Sequence, residues 1–210
     1  MEQLVINKMI IAEIRQYYDD KLLAHGASYK GVDWNSKKSQ ILRYEILSKV
    51  INNKSFFSIL DYGCGYGAII DYLNNNYDNF SFSGYDISPE MINKARKVFK
   101  GSNIRWFTEI NKNMKFNYVL SSGLFNVKLN YDNDKWYKYI LKTLDKINEH
   151  SIDGFSFNML TNKCDSEYKR NDLYYADQEQ IQLFCERNYS ENIMVLDNYG
   201  LYEFTILVKK

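Results

Sequence analysis

The residues with the clearest chemical potential are a glycine-rich loop and a nearby carboxylate. The loop reads Asp-Tyr-Gly-Cys-Gly-Tyr-Gly over residues 61–67, and it follows a short apolar segment that is typical of a buried strand. Glycines at the end of a strand allow a tight turn and let the backbone approach a ligand closely. The next apolar segment ends in Asp86, where a carboxylate can accept hydrogen bonds from both hydroxyls of an adenosine ribose. Together, these two features predict a site for a nucleoside-containing cofactor.

The glycines alone do not choose between two classes of cofactor. Gly63, Gly65 and Ala68 also match the dinucleotide fingerprint, in which a pyrophosphate anion faces the first turn of a helix. Asp61 at the entrance to the loop would repel that anion, whereas a ligand that carries an ammonium and a sulfonium would not suffer this repulsion. The loop therefore favours S-adenosylmethionine over NAD.

From about Phe57 to its end, the sequence resembles the class I S-adenosylmethionine-dependent methyltransferases. The N-terminal segment that contains Trp34, Ser36 and Gln40 resembles that of a small bacterial subgroup. The matching motifs are the glycine loop, YDISPEMINKAR at 85–96, FTEI at 107–110 and SSGLFN at 121–126. The resemblance implies that Asp86 binds the ribose, that Glu109 contacts the adenine amine, and that the 121–126 loop borders the methionine moiety and the transferable methyl group. The predicted cofactor-binding residues are Asp61, Gly63, Cys64, Gly65, Gly67, Asp86, Ile87, Met91, Glu109, Ile110, Ser122 and Gly123.

Methyl transfer makes modest demands on catalytic side chains. It is an in-line displacement at a carbon that a sulfonium leaving group already activates, so the protein must mainly align the acceptor and exclude water. An oxygen acceptor gains from a base, and His25 is the predicted one, with a surface histidine in a turn as the alternative. Asn126 is predicted to orient an acceptor hydroxyl through its amide, although a loop asparagine can equally satisfy local backbone groups.

Aromatic residues near the N-terminus are candidates for the wall of the substrate site. Tyr17, Tyr18, Tyr29 and Trp34 could surround the sulfonium or the acceptor, because a cation is attracted to the face of an aromatic ring. Packing in the protein core is an equally good interpretation of these rings. Phe125, in the loop that borders the methyl group, is a further predicted substrate contact.

Hydrophobic patterning predicts the elements that must position these residues. From residue 56, short apolar runs alternate with amphipathic helices, which is typical of a mainly parallel sheet with helices on both faces. The predicted strands are 57–62, 80–86, 104–108, 117–121, 154–159, 193–196 and 202–208. The predicted helices of this part are 68–74, 89–99, 133–150 and 177–188. The polar stretch at 161–175 could form a lid.

The predicted fold class is α/β, in one domain that spans residues 1–210. Residues 56–210 form a Rossmann-like core with a seven-stranded, mostly parallel sheet whose last strand is antiparallel. Residues 1–52 form an N-terminal helical cap, with a second helix at about 36–51. A chain of 210 residues with 45% hydrophobic and 16% aromatic residues is sufficient for one such core.

Charge and composition exclude several classes of partner. Lys and Arg total 27 against 26 Asp and Glu, so no overall field draws the protein to nucleic acid or to an anionic membrane. Glu2, Lys8 and Glu13 interrupt any signal-peptide core, and a cytoplasmic location is expected. The three cysteines form no Cys-x-x-Cys pair, and the 121–126 loop lacks paired acids for magnesium, so no metal is predicted.

These features predict a methyltransferase that acts on a small polar molecule. The subgroup resemblance implies O-methylation of a metabolite or of a sugar- or nucleotide-linked precursor, such as one used for surface polysaccharide. Nucleic acid is disfavoured as a substrate because the chain has no Asn-Pro-Pro-Tyr segment, no Pro-Cys pair and no basic extension. Two alternatives remain: an NAD-dependent oxidoreductase, with Tyr-x-x-x-Lys at 17–21 and 131–135, and a protein that binds the cofactor without turnover.

Overall fold

A seven-stranded sheet organises the chain, for which a computed structural model describes residues 2–52 and 55–210. Its strands are β1 (Phe57–Tyr62), β2 (Phe80–Tyr85), β3 (Ile104–Phe107), β4 (Phe116–Ser121), β5 (Ser151–Leu160), β6 (Ile193–Leu196) and β7 (Glu203–Lys209). The strand order is β3-β2-β1-β4-β5-β7-β6, with β1 to β5 parallel and β7 antiparallel to both of its neighbours. This arrangement confirms the predicted fold class.

Strand boundaries differ from the predicted ones by a few residues. The largest difference is in β5, which begins at Ser151 where the prediction began at Gly154. The central position of β5 explains its length, because β4 pairs with it from Ser151 onward and β7 pairs with its other edge.

Four helices in the described part of the chain begin after a residue whose side chain caps the first turn. The helices are α1 (Glu2–His25), α2 (Lys37–Ser48), α3 (Ile69–Asn76), α4 (Pro89–Val98), α5 (Asn133–His150) and α6 (Gln178–Asn188), with 3-10 turns at Lys30–Val32 and Ser166–Tyr168. Ser36 Oγ accepts a hydrogen bond from Ser39 N at 3.1 Å, and Ser88 Oγ accepts one from Met91 N at 3.0 Å. Such caps satisfy backbone N–H groups that the helix itself leaves unpaired. The predicted helical N-terminus is confirmed, with α1 and α2 as its main elements, and Met1 lies outside the described residues.

Hydrophobic side chains on both faces of the sheet are buried, because successive residues of a strand point to opposite sides. On one face, Ile59 of β1 packs in a cluster with Tyr44 of α2 and Leu73 of α3. On the other face, Leu60 packs in a cluster with Trp136 of α5. The sheet thus forms the middle layer of three, and its carboxyl end remains available for a site.

Helix α1 covers the sheet where a connecting helix is missing. The connection from β3 back to β4, residues 108–115, contains no helix, although parallel strands are usually joined by one. Ile10 and Ile14 of α1 are buried in the same cluster as Leu60 and Tyr62 of β1. The N-terminal helix is therefore part of the core as well as a cap. None of the helices in the described part of the chain is long and apolar enough to cross a membrane.

Candidate functional site

A cavity of about 490 Å³ opens at the carboxyl end of the sheet. Asp61 at the end of β1, Asp86 after β2, and Ser122 and Gly123 after β4 line its wall. In open α/β sheets, ligands bind outside the carboxyl ends of the strands, where the strand order reverses. Here the order reverses between β1 and β4, so the cavity lies where the fold predicts a ligand site.

The glycine loop forms the floor of this cavity and is tightly packed. Gly65 has φ +53°, and a Cβ placed there would lie 2.8 Å from Val32 Cγ1. Gly67 has φ +86°, and a Cβ there would lie 2.3 Å from the Trp106 ring. Both positions require glycine, for backbone conformation and for space. Gly67 itself does not line the cavity, so its visible role is in the turn and in packing against Trp106.

Asp86 ties the glycine loop to the start of α4. Its Oδ2 accepts a hydrogen bond from Gly65 N at 2.8 Å, and its Oδ1 accepts one from Ser88 N at 2.9 Å. Burial raises the pKa of this carboxyl to about 6, although the two backbone donors oppose the rise. The carboxylate is therefore held rigidly at the cavity wall, as a ribose-binding acid must be.

Asp61 is a buried carboxylate that no hydrogen-bond donor or positive charge of the described residues stabilises. Its side chain is buried, it lines the cavity, and it accepts no hydrogen bond from the described residues. Burial raises its pKa to about 8, with a further contribution from the nearby negative charge of Asp86. An ionised carboxylate is costly in such a place unless a cation or a donor approaches it. The geometry therefore favours a positively charged ligand group beside Asp61.

Three buried donors on the cavity wall have no acceptor within the part of the chain that the structure describes. These donors are Gln40 Nε2, Arg43 Nη1 and Ser122 Oγ. Buried polar atoms are rarely left unpaired, since an unmade hydrogen bond costs about 1–3 kcal/mol. The donors suit a carboxylate, and Asp61 suits an ammonium. Their combination fits the zwitterionic end of an amino acid.

Arg43 is held in place by an ion pair that the sequence did not reveal. Its Nε and Nη2 donate to Glu203 Oε2 at 2.9 and 2.8 Å, and both side chains are almost fully buried. The Trp34 ring lies over the guanidinium, with 4.0 Å between Arg43 Cζ and the ring centroid. Because Arg43 and Glu203 are 160 residues apart, no local pattern could have paired them.

The structure brings most of the predicted cofactor residues together. Those that line the cavity are Asp61, Gly63, Cys64, Gly65, Asp86, Ile87, Met91, Ser122 and Gly123. Glu109 and Ile110 do not line it, and the Glu109 side chain is exposed. The cavity lining gives no support to the predicted contact between Glu109 and adenine.

Of the aromatic residues considered for the substrate wall, Tyr18 and Trp34 line the cavity. A Cβ placed on Gly123 would lie 2.4 Å from the Trp34 ring, so this ring stands over the loop that follows β4. Tyr17 instead donates its hydroxyl to Asp33 at 2.6 Å, and Tyr29 precedes the first 3-10 turn. Phe125 is fully buried against Phe157 in the core, with 5.9 Å between the ring centroids. The positions of Tyr17, Tyr29 and Phe125 therefore give no support to the predicted contacts with the substrate.

The two predicted catalytic residues have different outcomes. Asn126 lines the cavity, and its Oδ1 accepts a hydrogen bond from Leu160 N at 3.3 Å, while its Nδ2 has no acceptor among the described residues. His25 is exposed at the end of α1, away from the cavity lining, and its carbonyl accepts a hydrogen bond from Ser28 Oγ. The position of His25 does not support a role as base, because a base must reach the proton that it removes.

The stretch predicted as a lid forms one side of the cavity. Cys164, Arg170, Leu173 and Tyr175 of this stretch line the wall. Backbone hydrogen bonds join the stretch to neighbouring segments, among them Tyr174 N to Asn126 O at 2.8 Å. As for metals, residues 2–52 and 55–210 contain no group of three or more His, Cys, Asp or Glu residues that could hold an ion.

The sequence is similar to known methyltransferases. Residues 59–146 match the family described as a methyltransferase domain. Rv1506c of Mycobacterium tuberculosis strain H37Rv, which is named as a methyltransferase, is 42% identical over 163 residues, or 77% of this chain and 98% of that protein.

Two of the solved structures that resemble this chain illustrate the shared fold. Magnesium protoporphyrin IX methyltransferase from Synechocystis PCC 6803, crystallised with bound S-adenosylmethionine, has a TM-score of 0.65 at 13% identity, over 95% of this chain and 97% of that one. The N-methyltransferase NodS from Bradyrhizobium japonicum WM9, in complex with S-adenosylhomocysteine, has a TM-score of 0.66 at 13% identity, over 93% and 97%.

Proposed function

This chain belongs to the class I S-adenosylmethionine-dependent methyltransferases, and from that premise we propose that its cavity delivers a methyl group to a small polar acceptor. The observation that carries the proposal is the set of unpaired groups on the cavity wall. The Asp61 carboxylate lacks a donor, and the buried donors Gln40 Nε2 and Arg43 Nη1 lack an acceptor. A zwitterionic methionyl group would satisfy both sets.

Each end of the cofactor has residues of this chain that suit it. Asp86 would accept hydrogen bonds from the ribose hydroxyls, as its fixed carboxylate at the end of β2 allows. Asp61 would face the ammonium, and the Arg43 guanidinium would bind the carboxylate together with Gln40. Glu203 would not touch the cofactor and would position Arg43 instead. It binds two of the guanidinium nitrogens and leaves Nη1 for the ligand.

The part of the cavity beyond Gly123 is the proposed acceptor compartment. Trp34 and Tyr175 provide aromatic surface, Asn126 provides an amide, and Arg170 provides a guanidinium that Asp172 already pairs. Aromatic faces with a few polar groups suit a small ring that carries hydroxyls. We therefore place the acceptor among sugars, sugar- or nucleotide-linked precursors and similar metabolites, with methylation on oxygen and surface polysaccharide as one destination.

The reaction rests on alignment more than on acid–base chemistry. The cofactor, when bound, supplies a methyl carbon that its sulfonium activates. Each described carboxylate of the wall has another role, since Asp33 is bound by Tyr17 and Lys21, Glu203 is bound by Arg43, and Asp61 and Asp86 face the cofactor. Asn126 Nδ2 would orient the acceptor oxygen, and the 161–175 stretch with Trp34 would exclude water.

Labelled cofactor provides the test of this proposal. The purified protein is incubated with methyl-labelled S-adenosylmethionine and with separate small-molecule, protein and RNA fractions of a bacterial extract. We expect label in the small-molecule fraction, on oxygen, and none with Asp61→Asn. Label in the protein or RNA fraction, or on nitrogen or carbon of the small product, would contradict the proposed acceptor.

A further inference from the structure

Helix α1 contributes to the end of the cavity beside Asp86, which is the proposed adenosine end. Beyond Asp86, the cavity is lined by Ile87 and Met91 at the start of α4 and by Tyr18 of α1. Ile14, one turn before Tyr18, also lines the cavity. The loop after β3, from which the resemblance predicted an adenine contact, contributes neither Glu109 nor Ile110 to the wall.

Tyr18 is held at this place by a ring contact of its own and by the anchoring of its helix at the next residue. Its ring packs edge-on against Tyr17, with 5.2 Å between the centroids. One residue further along α1, the Asp19 carboxylate accepts a hydrogen bond from the Ser88 hydroxyl, which also caps α4. The Ser88 backbone N–H also donates to Asp86. The residue that binds α1 is therefore bound to the predicted ribose acid as well.

The absence of a helix in the 108–115 connection explains why α1 can reach this site. The space on that face of β1 and β2 is filled by α1, whose Ile10 and Ile14 are buried in the core. An aromatic ring on this helix is thereby placed beside the ribose acid. Bases bind well against aromatic rings, because their flat faces stack on one another.

We infer that Tyr18 forms the adenine-side wall of the cofactor site and that it, in place of Glu109, sets affinity for the adenosine end. This inference rests on the proposed function of the cavity. If Tyr18 has this role, cofactor binding depends on the packing of α1 against the sheet. A methyltransferase core without α1 would lack this wall of the site.

Calorimetry with two ligands isolates the adenosine end. S-adenosylhomocysteine carries both ends of the cofactor, whereas 5′-methylthioadenosine lacks the amino-acid end. Tyr18→Leu should weaken binding of both ligands by about tenfold, which is the loss of one base–aromatic contact. Tyr17→Phe is the control on the same helix, because it removes the hydroxyl bound to Asp33 and keeps the ring packed against Tyr18. Glu109→Gln tests the alternative contact. Both should stay within about threefold of wild type. Gln40→Leu should weaken S-adenosylhomocysteine alone.

The outcomes separate this inference from the proposed function. A wild-type protein that binds neither ligand would overturn both. Wild-type binding that Tyr18→Leu leaves unchanged, or a tenfold loss with Glu109→Gln in its place, would overturn the inference alone. Hydrogen exchange on the wild type needs no variant: S-adenosylhomocysteine should slow amide exchange in residues 14–20, and unchanged exchange there would overturn the inference as well.

Discussion

Replacing Asp61 by asparagine should stabilise the free protein and abolish its affinity for the cofactor. The carboxyl is buried and accepts no hydrogen bond from the described residues. Burial and the charge of Asp86 raise its pKa from 3.8 to about 8. Between these two values the folded protein keeps a proton that the unfolded chain has released, so the free energy of unfolding falls as the pH rises. Asparagine has nearly the same shape and no proton to lose.

The size of this effect follows from the pKa difference. At pH 7 the raised pKa of Asp61 lowers the free energy of unfolding by at most about 4 kcal/mol. Each pH unit above the unfolded pKa contributes about 1.4 kcal/mol to this loss. For a chain of this length, 1 kcal/mol changes Tm by about 2–4 °C. Half of the upper bound would therefore raise the Tm of Asp61→Asn by about 4–8 °C at pH 7, and the difference should vanish near pH 4.

Thermal unfolding of the ligand-free protein between pH 4 and pH 8 measures this difference. Asp71→Asn is the matched control, because Asp71 is an exposed carboxylate on α3, and its Tm profile should follow wild type. S-adenosylhomocysteine should raise the Tm of wild type and leave that of Asp61→Asn unchanged. Parallel pH profiles for wild type and Asp61→Asn would refute the assignment of Asp61 as a buried, uncompensated acid.

Three further substitutions test other parts of the account. Glu203→Ala leaves the Arg43 guanidinium buried without its partner and should cost about 3–5 kcal/mol in urea unfolding; a loss below 1 kcal/mol would show that the pair is not buried in solution. Gly67→Ala forces a Cβ against the Trp106 ring at a positive φ and should cost about 1–3 kcal/mol, with a change in tryptophan fluorescence. Full stability in that variant would contradict the loop geometry. His25→Gln should keep kcat within about twofold, and a tenfold loss would restore His25 as the base.

The strands and the glycine loop could be predicted because their signals are local. Each apolar run between residues 57 and 121 is short and bounded by polar or glycine residues, and the structure has a strand at each of them. The helix caps Ser88 and Asp177 are equally local, since each accepts a hydrogen bond from the backbone N–H three residues later. Such features depend on neighbours within a few positions of the chain.

The polar end of the cavity could not be predicted in the same way. Arg43 meets Glu203 only after the sheet has formed, and their pairing decides which guanidinium nitrogen stays available. The position of α1 also depends on the connection between β3 and β4, which contains no helix. The space that α1 fills exists only once the sheet has formed. For the same reason, the sequence could not separate the aromatic residues that line the cavity, Tyr18 and Trp34, from those that lie away from it, Tyr17, Tyr29 and Phe125.

The most direct test of the central claim is a calorimetric titration of the purified protein with S-adenosylhomocysteine and, separately, with NAD. Asp86→Ala serves as the comparison, because Asp86 holds both the glycine loop and the start of α4. The account predicts that wild type binds S-adenosylhomocysteine, that Asp86→Ala loses this binding, and that neither protein binds NAD. Binding of NAD without binding of S-adenosylhomocysteine would contradict the account.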